Sequence, residues 1–406
     1  MAREMKDSGV EWIGLIPDTW KLIRGKYLFT ERNERGNKKE LQLLSPTQRY
    51  GVVPQEVYEE LSGMKAVKLE DSIDLASLKS IYVGDYCISL RSFQGGFEYS
   101  KYNGVVSPAY HVFHKTKLLD DGYYRYLFKD RSFIDKMASL TKTFRDGKSI
   151  AFVDFSRSFI PFPPVEEQRR IASFLDHKCE EINGVIDETE KTIEEYKALK
   201  QSIITEAVTK GVRGKRTMKD SGIEWIGEIP EEWECKKAKY SITISNGSDP
   251  KTEGDIPVYG SGANSFRTCG EYKEGPTVLI GRKGATLHIP HFIEGKYWNV
   301  DTAFDVKTPS GFVLKFYYYL ATSFDYKYYI SQTTLPGMTQ TNYENMFLPV
   351  PTHEEQDEIV DYLDTKCAEL DQLILAKEQL LAELESYKKS VIYEYVTGKK
   401  EVPACQ

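Results

Sequence analysis

Apolar residues recur at steps of mostly three and four in two long stretches of the chain. The first holds Ile171, Leu175, Ile182, Ile186, Ile193, Leu199 and Ile203; the second holds Ile359, Leu363, Leu370, Ile374, Leu381, Leu384, Tyr387 and Val391. This spacing keeps a single stripe on one side of an α-helix and is the pattern of a coiled-coil seam. It predicts two helices of about 44 residues, ~66 Å each at 1.5 Å per residue. A seam that long is not left bare in water, and two equivalent seams in one chain most simply bury each other. Prolines mark both entrances, Pro161, Pro163 and Pro164 before the first helix and Pro349 and Pro351 before the second. A proline there costs no intrahelical hydrogen bond and stops the preceding structure. Glycine and basic residues mark the exits, at Thr209–Lys215 and Thr397–Lys400, where they suit the helix end and its dipole.

The helices belong to a larger repeat. MKDSGVEWIGLIPDTWK from Met5 recurs as MKDSGIEWIGEIPEEWE from Met218, an offset of 213 positions. IPFPPVEEQRRIASFLDHKCEEI from Ile160 recurs as LPVPTHEEQDEIVDYLDTKCAEL from Leu348, an offset of 188. Internal periodicity on this scale decides architecture before any local assignment. The chain therefore divides into a conserved segment (1–21), a variable block (22–159), a long helix (160–213), a second conserved segment (214–234), a second variable block (235–347) and a second helix (348–406).

The variable blocks differ widely yet keep a thin common skeleton. GDYCISLRSFQGG (Gly84–Gly96) parallels GPTVLIGRKGA (Gly275–Ala285), SPAYHVF (Ser107–Phe113) parallels DTAFDVK (Asp301–Lys307), and RYLF (Arg125–Phe128) parallels YYYL (Tyr317–Leu320). Short β-branched and aromatic runs broken by glycine predict mixed α/β blocks sharing one fold and carrying different surfaces.

The 406 residues suffice for two or three domains. A net charge of −7 speaks against a nucleic-acid partner until its distribution is seen. Val165–Lys210 carries −4 and His353–Gly398 carries −8, which leaves +5 for the rest. Fields act locally, over about a Debye length, so mildly basic globular parts remain compatible with DNA. No apolar run reaches the roughly 20 residues of a membrane span, and the N-terminus has no secretory h-region; a cytoplasmic protein is expected. The six cysteines show no metal spacing, and Cys179 and Cys367, equivalent in the helical repeat, are expected in the core.

No P-loop, H-E-x-x-H, zinc spacing or Asn-Pro-Pro-aromatic motif is present. No catalytic residue, metal or cofactor is expected on this chain. Glu166 with Glu167, and Glu354 with Glu355, sit at helix starts and read as caps or contacts to other subunits. Trp12, Trp20, Trp225 and Trp233 recur identically and are expected to pack the conserved segments onto the helices.

The loops are the candidates for binding. Arg91 with Gly95 and Gly96, and Arg282 with Lys283 and Gly284, place cations on glycine turns beyond a strand. Arginine reaches guanine or phosphate, and glycine permits close approach; the bland alternative is an ordinary surface turn. A second recurrent loop precedes each long helix, with Arg145 and Lys148 in one copy and Gln332, Thr339, Gln340 and Asn342 in the other. It reads equally as base and phosphate contacts or as a polar turn that caps the next element. Lys101 and Arg267 complete the candidate DNA-binding set.

The two motif pairs, SGVEWIGLIPDTW with SGIEWIGEIPEEW and PFPPVEEQRRIASFLD with PVPTHEEQDEIVDYLD, resemble the signatures of specificity subunits of type I restriction-modification systems over the whole chain. The resemblance implies an α+β architecture in which two target recognition domains alternate with two long helices packed as an antiparallel coiled coil with a pseudo-twofold repeat. It implies that each domain reads half of a split, asymmetric sequence in double-stranded DNA, with the helices as ruler. It also implies two adenine methyltransferase subunits and restriction subunits as partners, with S-adenosylmethionine, ATP and Mg on those partners only. The alternatives are a protein-binding adaptor on a coiled-coil spacer, and a self-contained nuclease or methyltransferase, against which the missing motifs argue.

Overall fold

The computed structural model describes residues 3–36, 42–66, 77–88, 96–140, 150–262, 264–309, 311–326, 329 and 336–403. The periodic stretches form helices over Val165–Lys210 and His353–Val396. Compact units cut across the sequential segments: one unit holds Met1–Glu188 with Leu380–Gln406, the other Thr189–Gln379. Each unit thus combines its own conserved segment and variable block with the start of one long helix and the end of the other.

The helices run antiparallel within each unit. In the first, the Phe174 and Tyr395 rings pack at a tilt of 39° with centroids 4.4 Å apart, and Lys388 Nζ donates to Asn183 Oδ1 at 2.6 Å. In the second, Lys200 Nζ donates to Asp371 at 2.7 Å and Arg213 Nε to Glu358 at 2.6 Å. Ile171, Leu175, Ile182, Ile193, Ile359, Leu363, Leu370 and Val391 are buried, and Ile186, Ile203, Ile374, Leu381 and Leu384 are half-buried. Removal from water contributes roughly 1.5–3 kcal/mol for each fully buried side chain. Cys179 and Cys367 are buried in the same stripe, and burial pushes both thiols up.

Two expected seam residues are not in it: Leu199 is 48% and Tyr387 51% exposed. The stripe passes instead through Lys200 and Lys388, one position further on. These lysines are equivalent at the 188 offset, as are their acceptors Asn183 and Asp371. A step of six from Ile193 to Leu199 breaks the three-four rhythm, and apolar character alone hides that a paired lysine occupies the facing position.

The variable blocks share a four-stranded antiparallel sheet. In the first unit its strands are β1 (Phe29–Arg32), β2 (Tyr86–Ile88), β3 (Phe97–Tyr99) and β4 (His111–Lys115), in spatial order β1-β4-β2-β3. In the second they are β5 (Thr243–Asn246), β6 (Thr277–Gly281), β7 (His291–Ile293) and β8 (Ala303–Lys307), in the same order β5-β8-β6-β7. Short helices at Asp121–Leu127 and Leu314–Thr322 pack in equivalent places. The units differ in what is inserted: the pairs Leu44–Thr47 with Gly51–Pro54 and Lys79–Ile81 with Gly104–Val106 in the first, and a second four-stranded sheet around Ile256–Tyr259 in the second.

One clamp recurs at each long-helix start. Trp20 Nε1 donates to Glu167 at 2.9 Å and Arg3 to the other oxygen at 2.5 Å, with the guanidinium 5.4 Å from the indole centroid. Trp233 Nε1 donates to Glu355 at 2.9 Å, Arg216 binds the other oxygen, and its guanidinium lies 5.3 Å from that indole. Both tryptophans are buried, as packing required. Glu167 and Glu355 are therefore anchors for the conserved segments, a role that their position at a helix start did not reveal. Next in sequence, Gln168 and Gln356 accept from the amides of Asp120 and Val313, at 2.9 and 2.7 Å, and tie each variable block to its helix.

The first unit also buries Glu98, whose two oxygens accept from Lys129 Nζ at 2.6 Å. Burial outweighs the lysine and pushes Glu98 up from 4.5 to about 7; burial likewise pushes Asp130 up from 3.8 to about 6. The folded state holds these protons more tightly than the unfolded chain, so stability is lost as pH rises through the window from those starting values to the raised ones. The first unit's unfolding midpoint is expected to fall between pH 5 and pH 8, and Glu98→Gln to flatten that slope. An unchanged slope in chemical denaturation would reject the assignment.

Candidate nucleic-acid interface

In the second unit the ends of three core strands meet at one sheet edge. Asn246 faces Phe304, and Gly281 faces Ala303, so the chain leaving β5, leaving β6 and entering β8 gathers there. Arg282 N donates to Thr302 O at 2.8 Å, Met338 N to Arg282 O at 2.9 Å and Gly284 N to Pro336 O at 3.0 Å. The two loops singled out in the sequence, 282–284 and 336–342, are thereby zipped together, an adjacency that no spacing in the sequence announces. Gly284 has φ +112°, where a side chain is strained, and a Cβ there would lie 3.1 Å from Ser261 Oγ. Ser261, beyond the strand that ends at Tyr259, thus abuts the same edge.

The candidate side chains divide by what already holds them. Arg282 lies 5.6 Å from the Phe304 centroid, with Nη1 only 3.4 Å from Asp301 O and 3.5 Å from Asn246 Oδ1. Lys283 is exposed. Among the described residues neither has a carboxylate partner, so neither charge is neutralised by the protein. Arg267 is paired to Asp249 at 2.7 Å. Thr339 Oγ1 accepts from Asn342 N at 3.0 Å and caps the turn Gln340–Asn345. Gln340 donates to Glu344 at 2.7 Å, and Asn342 Nδ2 to Tyr329 O at 2.8 Å. These three shape the loop through contacts of their own. Tyr343 OH donates to Gly281 O at 2.8 Å and fixes the loop to the sheet.

The first unit presents an equivalent edge at Ile88, Phe97 and His111. Arg91, Arg145 and Lys148, like Gln332 in the second unit, lie outside the described residues. Lys101 is exposed but follows Tyr99, at the opposite end of β3 from Phe97. His111 Nδ1 lies 2.6 Å from Glu31 Oε1, and Arg32 is paired with Asp85 at 2.7 Å. Burial pushes His114 and His291 down, and among the described residues His114 Nδ1 and His291 Nε2 are buried without a hydrogen-bond partner. Among the described residues no group of His, Cys, Asp and Glu is arranged to hold a metal ion, and no helix is long and apolar enough to cross a membrane.

Residues 230–386 match the family described as "Type I restriction modification DNA specificity domain". The chain is 27% identical over 323 residues to the specificity subunit of the type I restriction enzyme MjaVIII of Methanocaldococcus jannaschii, spanning 71% of this chain and 72% of that relative. It is 25% identical to the putative MjaX specificity subunit of the same organism, over 60% of this chain and 59% of the relative. Among solved structures, a chain from work on complex assembly and conformational transition of the type I R-M system superposes with a TM-score of 0.74 at 16% identity, over 95% of this chain and 99% of that one. The HsdS subunit from Thermoanaerobacter tengcongensis gives 0.53 at 17% identity, over 97% of this chain and 100% of its own. At such identities these two likenesses concern the fold alone.

Proposed function

Because the chain belongs to the specificity subunits of type I restriction-modification systems, recognition subunits without chemistry of their own, we propose that each unit reads one half of a bipartite, asymmetric DNA sequence. The observation that carries this is the repeated sheet: one strand order twice, with different insertions and different sequences in the segments that follow the paired strands. A common frame with divergent edge loops is what two readers of different half-sites require. Two adenine methyltransferase subunits dock on the chain in the cytoplasm, restriction subunits join them, and S-adenosylmethionine, ATP and Mg are bound by those partners.

The test combines the purified chain with and without its modification subunit. Adenine methylation is expected only in the mixture, at a split asymmetric site found by sequencing methylated DNA. Methyl transfer by the chain alone, or methylation without sequence preference, would reject the proposal. Within the same assay Arg282→Ala is expected to weaken binding. If Arg282 reads a base, the loss is about 1–3 kcal/mol and confined to one half-site; if it holds phosphate, weakening is uniform and the salt slope falls by about one. Unchanged affinity in both Arg282→Ala and Lys283→Ala would remove this loop from the interface.

A further inference from the structure

Among the residues the second variable block leaves exposed, one aromatic side chain stands at the edge that carries Arg282 and Lys283. Phe266 is 59% exposed, on the loop between the inserted strands Ile256–Tyr259 and Arg267–Cys269. Its Cε1 lies 3.6 Å from where a Cβ on Gly260 would stand, and the same position is 2.8 Å from Thr302 Oγ1. Thr302 O in turn accepts the Arg282 amide. The ring therefore sits over a glycine that abuts the Arg282 loop. Two other exposed aromatics of this block lie elsewhere: Tyr240 precedes β5, at the far end of the sheet, and Tyr272 precedes Lys273–Glu274, with Lys296 Nζ 4.3 Å from its ring centroid.

The surroundings of Phe266 are charged in a particular way. The Arg267 guanidinium lies 5.3 Å from the ring centroid, and its Nη2 is held by Asp249 at 2.7 Å. The aromatic is thus braced by a cation whose charge is already compensated, while Arg282 and Lys283 have no carboxylate partner among the described residues. A duplex offers the matching pair of features, phosphates for the cations and base faces for the ring. Apolar side chains inserted at a base step pay the unstacking cost by gaining contact, and base–aromatic stacking tolerates any base.

We propose that Phe266 stacks on a base at one step of the second half-site, with Arg282 and Lys283 engaging the duplex beside it. This deepens the reading of the second unit as a DNA reader and rests on it. The apolar contact belongs to the inserted sheet, which among the described residues has no counterpart of the same topology in the first unit. One half-site is therefore read with an aromatic wedge supplied by the insertion.

The experiment uses the full chain with its modification subunit, on a duplex carrying the mapped site with 2-aminopurine placed in turn at each position of the second half-site. The wild-type complex is expected to change fluorescence at one step. Phe266→Ala is expected to abolish that change and weaken binding roughly tenfold or more, the scale of losing one stacking contact. Phe266→Trp should preserve the signal and Phe266→Leu should keep part of the affinity. Substitutions in the first half-site are expected to cost wild type and Phe266→Ala alike. Equal affinity and equal fluorescence for wild type and Phe266→Ala, on a duplex that wild type distinguishes from a scrambled one, would overturn the proposal alone. A wild-type complex that makes no such distinction would overturn the DNA reading beneath it.

Discussion

Glu355→Ala is expected to lower the unfolding free energy of the second unit by about 3 kcal/mol, the low end of what breaking a buried ion pair costs. Glu355 is 1% exposed, and its two oxygens hold Trp233 Nε1 and Arg216. The magnitude follows from what each partner has left. Arg216 keeps Glu232 at 2.9 Å and Lys210 O at 3.0 Å, so its charge is not wholly abandoned. Trp233 Nε1 has no second acceptor among its hydrogen bonds, and a buried donor left unpaired costs about 1–3 kcal/mol by itself. Glu355→Gln keeps an acceptor for the indole and removes the charge, so about half that loss is expected. Glu354, with a side chain 83% exposed, supplies the control. Urea unfolding followed by tryptophan fluorescence reads all three. A midpoint for Glu355→Ala no lower than that of Glu354→Ala would show that the clamp does not hold the conserved segment.

How much of this was legible beforehand varies with the range of the contacts involved. The long helices could be read nearly to the residue, because a stripe repeated over so many turns is a local signal reinforced at every step. The skeleton of the variable blocks was legible for the same reason twice over: Tyr86–Ile88 with Thr277–Gly281, and His111–Lys115 with Ala303–Lys307, are the paired strands that the two sequences suggested. The inserted sheets were not, since their strands are short and pair across loops without any periodic mark. Nor could pairing partners be read. Glu167 and Glu355 looked like helix caps because their bonds to Trp20 and Trp233 span 147 and 122 positions. Thr339 and Asn342 looked equally suited to bases, and only the fold shows them bonded to the loop itself.

Fragments of the two halves are expected to dimerise, and unequally. Each unit is completed by the end of the other half's helix: Val391, Tyr395 and Val396 in the first core, Ile204, Ala207 and Val208 in the second. A chain of residues 1–214 lacks the former set, and a second copy can supply Ile203, Ala207 and Val208 at the equivalent positions. In that dimer Ala207 replaces the Tyr395 ring that packs on Phe174. A chain of residues 215–406 does the reverse. In the intact second unit Ala207 and Tyr362, the equivalents of Tyr395 and Phe174, line an open cavity of about 600 Å³, and Tyr395 of a second copy would enter it. The polar contacts lean the same way: two Lys388–Asp371 ion pairs would form in the second-half dimer against two Lys200–Asn183 hydrogen bonds in the first. Adding or removing a buried ring is worth roughly 3 kcal/mol. With much of that lost to relaxation, two sites still favour the second-half dimer by on the order of 100-fold in Kd, each 1.4 kcal/mol being tenfold. Both dimers, being twofold symmetric, should direct the modification subunit to palindromes, a different one for each half. Analytical ultracentrifugation gives the ranking and sequencing of methylated DNA gives the targets. Equal dimer affinities would mean that the ring and the ion pairs do not set the strength of pairing, and an asymmetric target from either fragment would mean that the halves are not equivalent readers.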